Sequence, residues 1–509
     1  MPVISRLLSH HARYRGEYTA LVFGDAVFDF TQLNRLVNQT ANALIAAGLR
    51  KGDCFATVLP NSVELMVAYW AAAASGTVIV PCSNLLTANS LQTLLADADC
   101  KLIITNSMHV PTMHQLRQLL PQVANNCFVT TDTDGDELLR SWNNFIGRAD
   151  TAAPDIIVEP DDIYNIMYSS GTTGLPKGII HTHCIRSMYC TLFANAWRMT
   201  PESVVLHAGA IVFNGAMLDL MPWMYLGCKY VLHPKFDPEK MIEDIQMHRA
   251  THLVMVPTQI IAILNSPDYH PDKLASVEML QNVGAPLHLR YKNLINEQLP
   301  DRFYELYGVT EGFMTVLDRT ESVRKAGSVG KPAAFTELCI LDLDGEPCPA
   351  GAIGEICGKG PMVMPGYHNR PDLTEQAFIN GWLRSGDLGY LDEDGYLFLV
   401  DRKKDMIISG GVNVYPKDIE EIVIRHPSVN EAAVFGVDSD KWGEVPIAAI
   451  TVSQEASQEE IAEWVNQRVD ARFQRLAGVA ILDDFPRNIA GKILKHELRK
   501  QYRARIKQK

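Results

Sequence analysis

Short β-branched runs and amphipathic stretches take turns along this chain, and that alternation limits the folds open to it. Strand-like runs at 55–59, 77–80, 102–105 and 127–130 are interleaved with helix-like stretches at 30–47 and 90–98. The pattern returns around 230–232 and 253–256. Strands separated by helices pair in parallel after a crossover, so the expectation is largely parallel sheets covered by helices. Residues 65–82 carry no charged side chain over eighteen positions, long enough to raise a membrane span. Gly76 interrupts them ahead of a β-branched run, however, and this punctuation predicts helix, turn and buried strand instead. From Leu338 the texture changes to short runs spaced by Gly, Pro and Asp, a compact β-rich region. The charge cluster Asp401-Arg402-Lys403-Lys404-Asp405 closes it, and a fresh strand–helix alternation of roughly a hundred residues follows.

A chain of 509 residues exceeds one ordinary core, and length alone suggests about three domain-sized units. The net charge of −13 argues against general affinity for nucleic acid or membrane surfaces. Ten cysteines with no CxxC pair and no metal-type spacing read as reduced, mostly buried thiols of a cytoplasmic protein. The first fifteen residues hold no sustained apolar stretch before a small-residue cleavage site, so no signal peptide is expected.

The stretch Tyr168-Ser169-Ser170-Gly171-Thr172-Thr173-Gly174-Leu175-Pro176-Lys177-Gly178 has the makings of a phosphate cradle. Glycine lets the backbone come close to an anion and present its N–H groups. The hydroxyls add donors and Lys177 adds charge. A Walker-type loop needs Gly-x4-Gly-Lys-Ser/Thr, and Lys177 followed by Gly178 fits that badly. The plainer reading is a Gly/Thr-rich surface turn, which composition alone leaves open.

Four further stretches appear downstream: Gly284-Ala285-Pro286 with Tyr304-Glu305-Leu306-Tyr307-Gly308-Val309-Thr310-Glu311, then Trp382-Leu383-Arg384-Ser385-Gly386-Asp387, then Asp401-Arg402, and lastly Ala490-Gly491-Lys492. In this order, over nearly the whole chain, they resemble the motifs of the acyl- and aryl-CoA synthetases of the adenylate-forming superfamily. The resemblance implies an α/β fold with a large N-terminal domain, residues 1–401, of stacked αβαβα sheets plus a β-rich subdomain at about 335–401. It also implies a hinge at 402–405 and a small mobile α+β C-terminal domain at 406–509. ATP, Mg²⁺ and CoA are the implied small molecules.

By the same resemblance, Ser169, Ser170, Gly171, Thr172, Thr173, Gly174 and Lys177 would hold phosphates, while Gly284, Ala285, Pro286, Tyr307 and Gly308 would frame the adenine. Thr310 would donate to the α-phosphate and Glu311 would hold Mg²⁺, an ion that shares oxygen ligands with phosphates. Asp387 would accept the ribose hydroxyls, with Arg402 as the second ribose contact. Lys492 would act as the catalytic lysine and Lys404 as the hinge. Gly410 and Gly411 would line a pantetheine tunnel, and Trp442, Phe473 and Arg475 would meet the CoA nucleotide. Read without the resemblance, Glu311 is a carboxylate after a turn, Asp387 a turn residue, and Lys492 one cation in a tail with eight Lys/Arg and one Glu over 491–509.

One stretch departs from the family. Where many relatives carry Pro-Leu-x-His, this chain reads Ala208-Gly209-Ala210-Ile211-Val212-Phe213-Asn214-Gly215, with Phe213 or Val212 at the histidine position. An acyl pocket formed by Val212, Phe213, Asn214, Gly215, Val309, Gly312, Phe313 and Met314 would be apolar, and no Arg or Lys stands out there to pair a second carboxylate. That favours a fatty or aromatic monoacid, activated with ATP and passed to CoA. Competing readings are an enzyme handing acyl-AMP to a carrier protein or another acceptor, and a degenerate nucleotide-binding module. The latter predicts erosion at Lys492, Glu311 or Asp387, and none is eroded. The sequence names no nucleic-acid partner and leaves the oligomeric state open, a homodimer included.

Overall fold

The computed structural model describes residues 3–507 except 125–126, 170–176, 343, 403–404, 410–411, 440–441, 455, 470 and 488–492, with the backbone alone for residues 169 and 505–507. Two mostly parallel sheets dominate the first three hundred or so residues, as the alternation predicts. The larger runs in the order Lys331–Pro332, Met314–Leu317, Phe303–Gly308, Met279–Asn282, His252–Met255, Val204–His207, Lys229–Leu232, Thr19–Phe23, Ala26–Asp29. Its central pairings are parallel and its edges antiparallel. The second runs Leu139–Ser141, Phe128–Thr130, Leu102–Thr105, Cys54–Val58, Val78–Cys82, Ile163–Ser169, Lys177–Thr182, and only its last pair is antiparallel.

Local signals explain where the covering helices begin and end. The helix Phe30–Ala46 starts on a capping box, in which Asp29 accepts from the Gln32 backbone and Gln32 reaches back to the Asp29 N–H. The uncharged stretch becomes the helix Val63–Ser75, opened by the Ser62 side chain and closed by Gly76 at φ 67°, followed by the strand Val78–Cys82. Glycine adopts this left-handed turn without the Cβ clash another residue would meet. The helix is apolar on every side because the core surrounds it. Among the described residues no helix is long and apolar enough to cross a membrane.

An antiparallel sheet follows, with Glu337–Leu341, Gly354–Lys359, Trp382–Leu391 and Phe378–Ile379 in order and Leu397–Arg402 paired to Trp382–Leu391. The last sheet joins Val412–Val414, Ile407–Ser409, Gly443–Val452 and Val429–Ser439, with Gly478–Ile481 beside Gly443–Val452. Polar contacts link this region to what precedes it. Lys417, on the helix Pro416–Val423, donates to the Leu399 carbonyl at 2.7 Å, and Arg290 donates to the Ile424 carbonyl at 3.3 Å. None of the ten cysteines forms a disulfide, and burial raises the thiols of Cys54, Cys82 and Cys190 to about 12, so these are inert packing residues.

Candidate active site

Residues 170–176 lie outside the described residues. The strands Ile163–Ser169 and Lys177–Thr182 that flank them are antiparallel neighbours forming a hairpin, with Ser169 opposite Lys177. The Tyr168 hydroxyl donates to Asp97 at 2.6 Å, and Arg370 also pairs with Asp97. The hairpin is therefore tied to two distant segments before any ligand arrives.

Tyr307, Asp387 and Arg402 converge from two sheets. Tyr307 lies near the end of Phe303–Gly308 and donates its hydroxyl to Asp387 Oδ2 at 2.9 Å. Asp387 and Arg402 are register partners across one antiparallel pairing, and Arg402 Nε lies 3.3 Å from Asp387 Oδ1. Burial and the Asp387 carboxylate raise the Tyr307 phenol well above its ordinary value, so it stays a donor. Gly284, at φ +88°, begins the neighbouring loop, whose shape is held by buried Asn282 donating to the Ala285 carbonyl at 3.0 Å.

A second cluster surrounds Glu311. The Tyr367 hydroxyl donates to Glu311 Oε1 at 2.9 Å, and the Met364 N–H donates to the Glu311 carbonyl at 2.7 Å. Tyr367 is bridged to Ile179 of the hairpin, and the Lys177 ammonium sits over its ring at 5.2 Å. The neighbouring Thr310 carbonyl accepts from His181 Nε2 at 2.9 Å. Burial, with Arg186 nearby, holds His181 well below its ordinary value, so the ring is neutral. With Nε2 donating, Nδ1 accepts from the Asn165 amide at 3.3 Å, and Asn165 Oδ1 accepts from Arg186 Nε at 2.9 Å. One directed chain of donors thus runs from Arg186 to the Thr310 backbone.

Of the acyl-pocket residues named from sequence, Phe213, Asn214, Gly215 and Val309 are half-buried. Val212, Phe313 and Met314 are closed into the core. Gly312 serves a close approach rather than open space: a Cβ there would lie 2.3 Å from Val363 Cα. Gly308 is similar, with Met314 Cγ 2.8 Å from the position of a Cβ. The expectation of no cation near this pocket is corrected by Arg186, which donates from Nη1 to Asn214 Oδ1 at 2.9 Å. Arg186 lies 28 residues before Asn214, on the helix His183–Ala196, and one sequence gives no sign that they meet.

Tyr367, His181, Asn165, Asp97 and Arg186 all escaped the sequence reading. The turn pair Pro365-Gly366 was the one local signal, marking a loop just before Tyr367.

Lys492, Lys404, Gly410 and Gly411 lie outside the described residues. Arg487 and Ile493, on either side of residues 488–492, form an antiparallel bridge, with the Leu494 N–H on the Pro486 carbonyl at 2.8 Å. Arg487 Nη2 donates to both carboxylate oxygens of Glu431, at 2.8 and 2.7 Å. Trp442 and the turn Arg472–Gln474 come together, with the Arg472 guanidinium 6.0 Å from the Trp442 ring, while Phe473 is half-buried and Arg475 exposed. Among the described residues no group of three His, Cys, Asp or Glu side chains could hold a metal ion.

With this geometry in view, comparison with known proteins is informative. Residues 8–368 match the family described as AMP-binding enzyme, and residues 418–492 match the AMP-binding enzyme C-terminal domain. The chain is 34% identical to a feruloyl-CoA synthase of an Amycolatopsis species, over 98% of each protein. It is also 34% identical to a long-chain-fatty-acid–CoA ligase of Mycobacterium tuberculosis, over 95% of this chain and 94% of that one. Among solved structures it superposes on the o-succinylbenzoate CoA synthetase of Bacillus subtilis in complex with an acyl-adenylate intermediate, with TM-score 0.85, 30% identity and 97% of each chain covered.

Proposed function

Because the chain belongs to the AMP-binding enzyme family, we propose that it is an ATP-dependent acid–CoA ligase acting on a fatty or aromatic carboxylic acid. In the first step a carboxylate oxygen attacks the α-phosphorus of ATP. The bond to the β-phosphate breaks, pyrophosphate leaves with the electron pair, and an acyl-adenylate remains. In the second step the CoA sulfur attacks the acyl carbon, AMP leaves, and the thiol proton passes to solvent.

The observation that carries the residue assignment is the convergence of Tyr307, Asp387 and Arg402 beside the Thr310–Glu311 turn. Asp387, already oriented by the phenol and the guanidinium, accepts the ribose hydroxyls, and Tyr307 lies where the loop at 284–286 can frame a flat base. Residues 169–177 take the phosphates, with Lys177 held beside Tyr367. The Thr310 hydroxyl donates to the α-phosphate, its backbone fixed from behind by neutral His181.

Two anions must meet at one phosphorus, so their repulsion has to be offset. Glu311 suits Mg²⁺: its Oε1 is held by Tyr367, and Oε2 makes no hydrogen bond or ion pair among the described residues. When bound, the ion neutralises phosphate charge. Lys492 supplies the second positive charge, touching the substrate carboxylate and the α-phosphate. A swing about Lys404 then withdraws Lys492 and presents the Gly410–Gly411 face to the CoA arm. Trp442, Phe473 and Arg475 receive the CoA nucleotide, with Arg472 of the turn Arg472–Gln474 lying 6.0 Å from the Trp442 ring.

The test is a pyrophosphate-release screen over short, medium, long and aromatic acids, with the products resolved by mass. Acyl-CoA formed only when CoA is added supports the ligase. Acyl-AMP that accumulates despite CoA would move the acceptor to a carrier protein, and silence with every acid would reject the activity.

A further inference from the structure

We propose that Arg186 makes this pocket selective for acids whose acyl body carries a second carboxylate; this rests on the ligase reading above and narrows its substrate class. Arg186 lies on the helix His183–Ala196 and is 0% exposed. Its Nε donates to Asn165 and its Nη1 to Asn214, while the guanidinium sits 4.8 Å from the centre of the Tyr189 ring. Its Nη2 is buried and, among the described residues, has no acceptor within ordinary hydrogen-bond geometry, the Tyr189 phenol being the polar group that bears on the guanidinium.

Among the described residues no carboxylate pairs with Arg186. The groups that face it are the phenols of Tyr189, Tyr164 and Tyr69. Guanidinium keeps its proton even when buried, so among the described residues a full positive charge lies without a counter-charge. Buried charges of this kind are costly unless an anion joins them.

Asn214, a residue of the expected acyl pocket, accepts directly from this charge. It is half-buried, opens the turn Asn214–Ala216, and also donates to the Tyr189 hydroxyl at 3.2 Å. If its amide turned aside, Nη1 would be freed next to Nη2, and the two together form the fork that a carboxylate accepts through both oxygens. A ketone or hydroxyl would meet one N–H and leave the charge unbalanced. The reacting carboxylate is an unsuitable counter-charge, because it is consumed on forming the adenylate while the guanidinium stays charged.

The decisive experiment uses the full chain with Mg-ATP and CoA, measuring pyrophosphate release from aliphatic and aromatic diacids, each against its own monomethyl ester. The ester keeps the length and removes the second charge. For at least one pair the diacid should exceed its ester about 10-fold or more in kcat/KM, since a site with buried donors rejects a ligand that leaves them unpaired. In Arg186→Leu that ratio should fall toward one, and Arg186→Lys, which keeps charge but loses the fork, should lie between. If Arg186→Leu does not fold, the wild-type ratios decide alone. Esters that match or exceed their diacids throughout, or a variant that slows both members equally with the ratio unchanged, would overturn the inference while leaving the ligase intact. Failure of every acid and every ester would reject the ligase reading and this inference together.

Discussion

The Tyr367 hydroxyl donates to Glu311 Oε1 at 2.9 Å, joining two residues 56 positions apart. The bond orients the carboxylate assigned to Mg²⁺ and leaves one oxygen for the ion. Groups that hold a metal ligand in place influence affinity nearly as strongly as the ligand does. Tyr367→Phe keeps the ring under Lys177 and removes only the hydroxyl. The Mg²⁺ concentration giving half-maximal pyrophosphate release should rise about 10-fold or more. An unchanged Mg²⁺ curve would remove Tyr367 from the site.

Asp387 is held from two sides, by Tyr307 and by Arg402. Asp387→Asn weakens both the ribose bonds and the pair with Arg402. Losing hydrogen bonds to a charged acceptor costs roughly 1.5–3 kcal/mol, so ATP should bind about 10- to 100-fold more weakly. Calorimetry with ATP and a dideoxy analogue tests the assignment. The analogue should bind wild type poorly, and the variant should scarcely distinguish the two nucleotides. Additive losses would place the ribose elsewhere.

Lys492 is assigned to the first step alone. Lys492→Ala should slow adenylate formation roughly 10²- to 10³-fold, the cost of a lost transition-state donor. Thioester formation from supplied acyl-AMP should be largely spared. Gly410→Leu should do the reverse, blocking the CoA step while pyrophosphate exchange continues. Equal losses in both half-reactions of either variant would contradict a C-terminal unit that turns between two faces.

The parts legible in sequence are those written in consecutive residues. Gly76 ends a helix because a left-handed turn needs no Cβ, and that shows in one chain as plainly as in the structure. That Asp387 and Arg402 belong to one site is implied by resemblance to a family, while their pairing with each other shows only in the fold. The supporting layer was hidden because each contact spans a long loop: His181 reaches the Thr310 carbonyl over 129 residues, and Arg370 reaches Asp97 over 273. A buried arginine is hidden for another reason. In sequence Arg186 is one charge on a helix whose neighbours alternate in polarity, and only the packing reveals that the helix is covered on that side too.

Gly312 follows Glu311 and sits against the backbone at 362–363, where a Cβ would lie 2.9 Å from the Met362 carbonyl oxygen and closer still to Val363. Neither backbone atom can swing away as a side-chain tip could. Gly312→Ala should therefore push back the segment whose Met364 N–H holds the Glu311 carbonyl. Strain of this kind typically costs about 1–3 kcal/mol. Denaturant midpoints and pyrophosphate release should fall together. A variant with wild-type stability and rate would show that the approach is not needed.

His183 sets an acid limit to stability. Burial pushes its imidazole down to about 4 from an ordinary 6.5, against a partial upward pull from Asp162, and Lys51 adds to the lowering. Among the described residues neither ring nitrogen has a hydrogen-bond partner, and the ring meets Tyr164 edge-on at 5.4 Å. Between pH 4 and 6.5 the unfolded chain binds this proton and the folded chain does not. Stability therefore rises with pH across that window, is fully present above it, and is lost on acidification. Relative to pH 8, the contribution at pH 5 is a loss of roughly 2 kcal/mol from this one residue. His183→Phe keeps a ring against Tyr164 and removes the titration. Urea unfolding at pH 8 and pH 5 should show the variant losing about 2 kcal/mol less than wild type on acidification. Parallel losses in the two proteins would mean that His183 finds its proton as easily in the folded chain as in the unfolded one.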